Sequence, residues 1–229
     1  MRPELAELYQ QHLEEDLQAC EQAIDNDPTD ANAYINKGAA LAAPHRFEEA
    51  VTAYDQAIHC DPTNADAYSD KGRVLVLLKR YEEAVAAYDQ AIRFDPNESG
   101  AYNNKGTPLV FLKRYEEAIV AYNQALSLRE SEVYYQNKGY ALYLLGRYEE
   151  ALVAYDKAIK IDPLDDGPYY GKIRTLRKLG CDDQVPAVFA QALRHDFHPL
   201  VKVRFLRDAG RNKEADYLEQ AYKKKYPEE

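Results

Sequence analysis

The chain of 229 residues has no tryptophan, one methionine and three cysteines. The cysteines Cys20, Cys60 and Cys181 lie far apart and share no spacing typical of a metal site or a redox pair. No apolar run is long enough to span a bilayer, and the amino terminus, Met-Arg-Pro-Glu, has no hydrophobic segment. We therefore expect reduced thiols, no membrane span, no secretory signal and a cytoplasmic location.

Positive charge is also scarce, since 29 lysines and arginines face 39 aspartates and glutamates and the net charge is −10. Nucleic-acid binding draws most of its affinity from neutralised phosphates, so we expect no nucleic-acid partner. The distribution is uneven, because residues 1–66 are acidic whereas residues 171–225 are rich in lysine and arginine. The basic segment is either ordinary solvated surface or a patch for an acidic ligand.

The residue sets that carry catalysis are missing. None of the histidines forms a helical pair flanking a carboxylate, and no phosphate-binding glycine loop or nucleophile elbow is present. The only cluster that suggests a metal site is His195-Asp196-Phe197-His198, and its place before a proline favours an ordinary exposed turn. We predict that the protein is not an enzyme and has no catalytic residue, metal or cofactor.

The chain does contain an internal repeat. A tyrosine followed by an Asn-Lys-Gly-like word and then an Arg-Tyr-Glu-Glu-Ala-like string returns about every 34 residues. The recurring positions are a first tyrosine at Tyr34, Tyr68, Tyr102 and Tyr135, glycine at Gly38, Gly72, Gly106 and Gly139, alanine at Ala50, Ala84, Ala118 and Ala151, and a second tyrosine at Tyr54, Tyr88, Tyr122 and Tyr155. An Asp-Pro pair ends each repeat except the third, which has Arg129-Glu130 instead and is one residue shorter.

The spacing predicts two antiparallel helices in each repeat. Counted from the first residue of a repeat, tyrosine 4, glycine 8 and leucine 11 share one face of a first helix, and alanine 20, tyrosine 24 and alanine 27 share one face of a second. Small residues at positions 8 and 20 let the two backbones approach, with the tyrosines filling the gaps beside them. Paired glutamates begin each second helix, where the helix dipole favours negative charge, and the proline stops it.

This pattern resembles the tetratricopeptide repeat family, although tyrosine replaces the family's first aromatic, usually tryptophan, and lysine replaces its leucine before the glycine. The resemblance implies an all-α fold, a right-handed superhelical alpha-solenoid of antiparallel helix pairs. The expected single solenoid 1–229 has an N-terminal capping half repeat 1–30, repeats 31–64, 65–98, 99–131 and 132–165, a degenerate repeat 166–198 and C-terminal capping helices 199–229. In the degenerate repeat, Ile173 replaces the glycine and Val185 replaces the first alanine.

In this family the first helices form a concave wall, and positions 2, 5, 6, 9, 12 and 13 face inward. Position 6 gives Asn36, Asp70, Asn104 and Asn137, and then Gly171. Family members that bind extended polypeptides use asparagine at this position, and its amide offers both a donor and an acceptor to a peptide backbone. The alternative is that asparagine is simply a solvent-tolerant residue of the repeat.

From the first repeat to the degenerate repeat, the residues at positions 9, 12 and 13 change from polar to apolar and then to basic along the expected groove. The candidate groove residues among them are Arg73, Phe111, Tyr140, Tyr143, Arg174, Arg177 and Lys178. We expect a peptide with apolar anchors and an acidic end at the basic residues, because aromatic and arginine side chains supply much of the binding energy at such interfaces. The alternative is that Phe111 and Tyr140 pack against neighbouring helices.

One partner class of the family is not expected here. Members that capture the acidic carboxyl terminus of heat-shock chaperones use a clamp of two lysines, an arginine and two asparagines. The corresponding positions of this chain are Ile35, Ala39, Asp70, Gly100 and Asn104, or, one repeat later, Ser69, Arg73, Asn104, Val133 and Asn137. Neither set supplies the clamp, so we do not predict chaperone-tail binding.

Pro108 falls inside the first helix of the third repeat, where proline removes the hydrogen bond to the carbonyl of Asn104 and typically costs about 3 kcal/mol. One hypothesis is that the groove widens locally and offers this carbonyl to a ligand. The alternative is drift in a tolerant repeat.

Three functions stay open at this point. The first is an adaptor or scaffold that binds an extended segment of another protein in its groove. The second is a self-assembling module that forms a homodimer or an end-to-end chain through Leu5, Leu8, Tyr217, Leu218 or Tyr222. The third is a regulatory subunit that binds a small metabolite in the apolar middle of the groove.

Overall fold

The computed structural model describes residues 3–43, 45–195 and 197–225, and this part of the chain contains helices and no β-strand. Its α-helices are α1 Pro3–Asn26, α2 Ala31–Ala42, α3 Phe47–Cys60, α4 Ala65–Leu77, α5 Tyr81–Phe94, α6 Ser99–Phe111, α7 Tyr115–Leu128, α8 Glu132–Leu145, α9 Tyr148–Ile161, α10 Gly167–Lys178, α11 Val185–Leu193, α12 Pro199–Asp208 and α13 Asn212–Lys225. A short 3-10 helix, Asp182–Gln184, precedes α11. The side chains of residues 3–10, 199, 221, 222, 224 and 225 lie outside this description.

The chain forms two compact units, Met1–Leu128 and Arg129–Glu229. The boundary coincides with the interrupted repeat, where Arg129-Glu130 stands in place of Asp-Pro. Helices α1 to α7 belong to the first unit and α8 to α13 to the second. The repeat limits and the single domain 1–229 remain predictions from the sequence.

Each repeat is held together by a tyrosine ring that lies against a glycine. Helix α2 packs on α3, α4 on α5, α6 on α7 and α8 on α9. A Cβ atom placed on Gly38 of α2 would lie 2.8 Å from Cε1 of Tyr54 on α3, and the other three repeats have the same contact. The tyrosines are almost fully buried. The ring therefore occupies the space that a side chain at position 8 would need. The tyrosine thus packs directly on the glycine, whereas the sequence predicted only that it fills gaps beside it.

The lysine that replaces the family's leucine joins neighbouring helices. Nζ of Lys71 on α4 lies 2.5 Å from Oδ1 of Asp55 on α3. The same pair recurs as Lys37 with Glu21, Lys105 with Asp89 and Lys172 with Asp156. Each pair connects a first helix to the helix that precedes it in the chain. This lysine therefore makes a charge contact between consecutive helices at a position where the family usually has an apolar residue.

The turns between helices use the charged residues of the repeat string. The Arg46 guanidinium donates two hydrogen bonds to Glu49, at 2.7 and 2.6 Å, and the equivalent arginines of α5, α7 and α9 do the same. The second of the two glutamates that begin each second helix is therefore bound by an arginine, in addition to its favourable interaction with the helix dipole. The aspartate of each Asp-Pro pair closes the following turn: Asp61, for example, accepts a hydrogen bond from the backbone N–H of Thr63 at 3.0 Å.

The second unit ends in an aromatic cluster that replaces the regular repeat core. Tyr169, Phe189, Phe197 and Phe205 are buried together with Ile173. Ile173, which stands at the position of the repeat glycine, belongs to this cluster and is itself buried. The cluster fixes α10 against α11 and α12, and so determines where the basic residues of α10 and α12 lie.

Helix α6 continues through Pro108, which is fully buried. The side-chain Oδ1 of Asn104 accepts a hydrogen bond from Nδ2 of Asn103 at 3.3 Å. The hypothesis of a local widening at this proline stays a prediction.

Candidate functional site

In the first unit, the predicted groove residues lie on three separate first helices. Asn36 on α2 is exposed, and Asp70 on α4 and Asn104 on α6 are half-buried. Oδ1 of Asp70 accepts a hydrogen bond from Nη2 of Arg73 at 3.0 Å. These two predicted groove residues therefore neutralise each other, which leaves less charge for a ligand than the sequence suggests.

Phe111, also in the first unit, is both packed and exposed. Its ring stacks on Tyr81 at the start of α5, with 4.7 Å between ring centroids and 5° between ring planes. Even so, 58% of the residue is exposed. The two alternatives considered for this residue are thus compatible, because one face packs and the other remains accessible.

In the second unit, an arginine of α10 lies over two tyrosines of α8. The Arg174 Cζ is 4.5 Å from the ring centroid of Tyr143 and 5.3 Å from that of Tyr140. Tyr140 remains 40% exposed. Residues three apart share a helix face, so positions 9 and 12 of the fourth repeat meet position 9 of the next repeat. Such contact attracts the cation to the rings and limits the freedom of the arginine side chain.

These side chains border an open cavity of about 440 Å³ within the second unit. Its lining residues are Gln136, Asn137, Tyr140, Tyr155, Gly167, Tyr170, Gly171, Ile173, Arg174, Arg177 and Arg204. Four of them, Asn137, Tyr140, Arg174 and Arg177, are predicted groove residues. Tyr143 and the exposed Lys178 do not line the cavity, although Tyr143 supports Arg174.

The floor of the cavity includes Tyr155, which lies between two glycines. A Cβ atom at Gly139 or at Gly171 would collide with its ring. Burial raises the pKa of Tyr155 to about 12 although the neighbouring Arg174 lowers it. The absence of a side chain at Gly171, position 6 of the degenerate repeat, is therefore what lets this tyrosine reach the cavity.

One wall is built by residues that the repeat pattern did not indicate. The ring of Tyr170 stacks on Phe205, with 4.8 Å between centroids, and the Arg204 Cζ lies 4.1 Å from the same ring. The Tyr170 hydroxyl is buried and has no hydrogen-bond partner among the described residues. Burial raises the pKa of Tyr170. Arg204 belongs to α12, beyond the recurring positions, so only the general richness of this segment in arginine pointed to it.

The cavity lining carries three guanidinium groups and, among the described residues, no carboxylate. Nη1 of Arg204 lies 3.6 Å from Oδ2 of Asp166, a distance longer than a hydrogen bond. Arg177 forms no ion pair with any residue in the described part of the chain. The arrangement therefore combines amide groups, aromatic rings and cations around one opening, which suits a ligand that is partly apolar and partly anionic.

Of the five residues predicted to mediate self-assembly, two have side chains that the structure describes. Tyr217 on α13 is 77% exposed, whereas Leu218 packs against the small core of Val203, Leu206 and Ala215. The side chains of Leu5, Leu8 and Tyr222 lie outside the described residues.

The predicted histidine cluster lies just before α12. His198 caps α12 by accepting the backbone N–H of Leu200 at 3.4 Å, and Asp196 lies outside the described residues. No group of three or more histidines, cysteines and carboxylates suited to a metal occurs in the described ranges.

Within the same ranges, no helix has both the length and the apolar character that a bilayer crossing requires.

Solved structures with the same fold include several tetratricopeptide repeat proteins. YrrB, described as a TPR protein with an unusual peptide-binding site, is 26% identical, with a TM-score of 0.65 over 78% of this chain and 92% of that one. A MamA fragment from Desulfovibrio magneticus is 19% identical, with a TM-score of 0.66 over 72% of this chain and 93% of that one. PilW, a type IV pilus biogenesis factor, is 19% identical, with a TM-score of 0.64 over 87% of this chain and 94% of that one.

Models of the tetratricopeptide repeat match the sequence along consecutive stretches. One model matches residues 5–65 and 35–99, a second matches 99–132 and a third matches 133–164. Among curated proteins, none matches the sequence. The repeat matches and the solved structures confirm the predicted all-α solenoid fold class. Because the matched repeats occupy more than half of its length, the chain belongs to the tetratricopeptide repeat family and is a protein-interaction module.

Proposed function

We propose that the protein is a non-enzymatic adaptor whose cavity in the second unit binds an extended segment of another protein. The observation that carries this proposal is the convergence of Asn137, Tyr140, Arg174 and Arg177 on one open cavity of about 440 Å³. The family assignment supports a protein ligand, and the description of YrrB as having a peptide-binding site makes a peptide the natural form of that ligand.

The side chains around the opening supply the contacts that an extended peptide needs. The lining includes the amides of Gln136 and Asn137, and an amide group can both donate to and accept from a peptide backbone. The half-exposed ring of Tyr140 offers an apolar surface with little conformational entropy to lose on binding. The described lining contains no histidine, cysteine, serine or carboxylate, which supports binding rather than catalysis as its role.

The remaining parts of the proposal follow from charge and composition. A net charge of −10 disfavours nucleic acid, and the heat-shock chaperone clamp is incomplete in both possible frames. A cytoplasmic location is part of the proposal, although one protein of the same fold, PilW, is a pilus biogenesis factor.

A displayed library of random decapeptides would test this proposal directly. Peptides selected on the wild-type chain should bind the Tyr140→Ala variant at least ten-fold more weakly, because the variant removes a central aromatic contact. Tyr217→Ala is the matched control, since it removes an exposed tyrosine of the same unit away from the cavity. A library that yields no peptide, or peptides that bind all three chains equally, would show that the proposed site is wrong.

Self-assembly is the second candidate function, and the exposed ring of Tyr217 favours it. A ring that is 77% exposed on the last helix is a plausible contact for another copy. If such a contact exists, the mass measured by light scattering will rise with concentration for the wild-type chain and not for Tyr217→Ala. A constant monomer mass for the wild-type chain would exclude this function.

A further inference from the structure

We propose that the cavity of the second unit recognises a carboxylate of its peptide ligand, held jointly by Arg174, Arg177 and Arg204. This inference rests on the proposed peptide-binding function and adds the chemistry of the partner. It also assigns a role to α12, which supplies Arg204 although it is not one of the regular repeats.

The first argument is positive charge that is compensated only in part. The cavity is lined by three guanidinium groups and by no carboxylate of the described residues. Arg204 forms a long ion pair with Asp166 at 3.6 Å, whereas Arg174 contacts rings instead of an acid. In a chain whose net charge is −10, three cations around one opening create a local field that attracts an anionic group.

The second argument is that aromatic rings restrain two of the guanidinium groups. Cζ of Arg174 lies 4.5 Å from the ring centroid of Tyr143, and Cζ of Arg204 lies 4.1 Å from that of Tyr170. Attraction between a cation and the face of a ring limits the freedom of the arginine side chain. A guanidinium can donate two parallel hydrogen bonds to a planar carboxylate. The rings therefore reduce the conformational entropy that both arginines lose when a carboxylate binds.

The third argument is a comparison within the chain itself. Arg73 and Arg174 occupy the same repeat position, and the residue three positions earlier is Asp70 in one case and Gly171 in the other. Asp70 accepts a hydrogen bond from Arg73 at 3.0 Å. The second repeat thus carries its own carboxylate for this arginine, whereas the degenerate repeat has none at that position. We infer that the ligand supplies the carboxylate that Asp70 supplies in the second repeat.

The carboxylate has two possible sources, an internal aspartate or glutamate and the carboxyl terminus of the peptide. Three libraries of octapeptides separate them, each labelled with a fluorescent dye that lacks a carboxylate and random at the flanking positions among residues other than aspartate and glutamate. The first has a central glutamate and an amidated end, the second a central glutamine and an amidated end, and the third a central glutamine and a free carboxylate. Fluorescence anisotropy with the full chain measures the binding of each library.

The expected result is that a carboxylate-containing library binds at least ten-fold more tightly than the library of central glutamine with an amidated end. Preference for the first library identifies a side chain, and preference for the third identifies the carboxyl terminus. Equal binding of all three libraries would overturn the inference while leaving peptide binding intact. Absence of binding by every library would overturn both the proposed function and this inference.

Variants then assign the contact to the arginines. Arg174→Gln and Arg204→Gln should each weaken the preferred library about ten-fold and leave the library without a carboxylate nearly unchanged. Arg207→Gln is the control, because it removes the same charge from α12 at a residue paired with Glu219 outside the cavity. Circular dichroism checks that the helices persist. Equal losses for both kinds of library would assign these arginines a structural role and contradict the inference.

Discussion

Gly38 and Tyr54 form the contact that sets the distance between the two helices of the first repeat. A Cβ atom on the glycine would lie 2.8 Å from Cε1 of the tyrosine, closer than carbon atoms approach without displacement. The ring is fully buried and cannot swing into solvent. The position-8 glycine is therefore required by packing, not by backbone conformation.

We expect Gly38→Ala to lower the free energy of unfolding by up to about 2 kcal/mol, because overpacking against the buried ring costs about 1–3 kcal/mol and the gain in helix propensity returns about 1 kcal/mol. Urea denaturation followed by circular dichroism measures the change. Gly100→Ala is the control, since its new Cβ would meet only the Glu98 carboxylate that caps α6 through the Gly100 N–H. We expect the gain in helix propensity to offset the weakened cap, so that its loss of stability is smaller than that of Gly38→Ala. A stabilised Gly38→Ala chain would contradict the packing argument.

The Lys71–Asp55 pair contributes little to stability despite its short distance. The Lys71 side chain is 24% exposed and the Asp55 side chain 49%, so water screens the pair. Lys71→Leu, which restores the residue usual in the family, should change the free energy of unfolding by less than about 1 kcal/mol. A double-mutant cycle of Lys71→Ala and Asp55→Ala measures the pair itself. A coupling well above 1 kcal/mol would show that the pair is a principal bond between repeats.

Stability should fall in strongly alkaline solution because of the repeat tyrosines. Burial, with a smaller effect of Asp70, raises the pKa of Tyr54 to about 12, and burial raises that of Tyr122 to about 12. In the unfolded chain tyrosine ionises near pH 10. Between about pH 10 and pH 12 the unfolded chain therefore releases protons that the folded chain keeps, and the free energy of unfolding decreases as pH rises. Below about pH 10 this contribution is fully present.

Urea denaturation at several alkaline pH values, with tyrosinate absorbance at 295 nm, measures this effect. Tyr54→Phe should reduce the decrease, and it should not destabilise the chain at neutral pH, because the Tyr54 hydroxyl is buried without a hydrogen-bond partner in the described structure. Tyr217→Phe, at an exposed position, is the control and should leave the slope unchanged. A free energy that stays constant up to pH 12 would contradict the prediction.

Replacing Pro108 by alanine should stabilise the first unit. Proline inside a helix typically costs about 3 kcal/mol, and the methylene groups lost on substitution are worth about 0.8 kcal/mol each. Thermal or urea unfolding measures the gain. Peptide binding at the cavity of the second unit should not change, because Pro108 lies in α6 of the first unit. Weaker peptide binding by the more stable variant would support the local widening at Asn104.

The sequence predicts the helix pairs well, because the repeat period places each tyrosine and glycine on a known face. It also assigns Asn137, Tyr140, Arg174 and Arg177 to one predicted groove wall, since they occupy inward-facing positions on consecutive first helices, but it does not single them out from the other groove residues. Arg204 escapes this reasoning because α12 follows no repeat position, and its place depends on how Phe205 packs in the aromatic cluster. Periodicity predicts which residues of a repeat helix share a face. Because α12 follows no repeat, periodicity cannot predict which of its residues border the cavity.

The pairing of Arg73 with Asp70 shows a second limit. By repeat position, both residues face the predicted groove and are candidates to bind a ligand. Because they lie three residues apart on one helix, they bind each other instead. The stacking of Phe111 on Tyr81 is missed for a related reason, because its partner lies at the start of another helix. Facing the groove and being available to a ligand are different properties, and only contacts separate them.

The origin of Arg204 in α12 has a consequence for how this protein and its relatives diverge. A substitution at that residue alters the charge of the cavity without touching any glycine and tyrosine contact that holds a repeat together. Duplication or loss of a repeat in the first unit would likewise leave every residue that lines the cavity in place. The reverse also holds, because descendants that keep the same scaffold can acquire new partners through changes confined to one short helix.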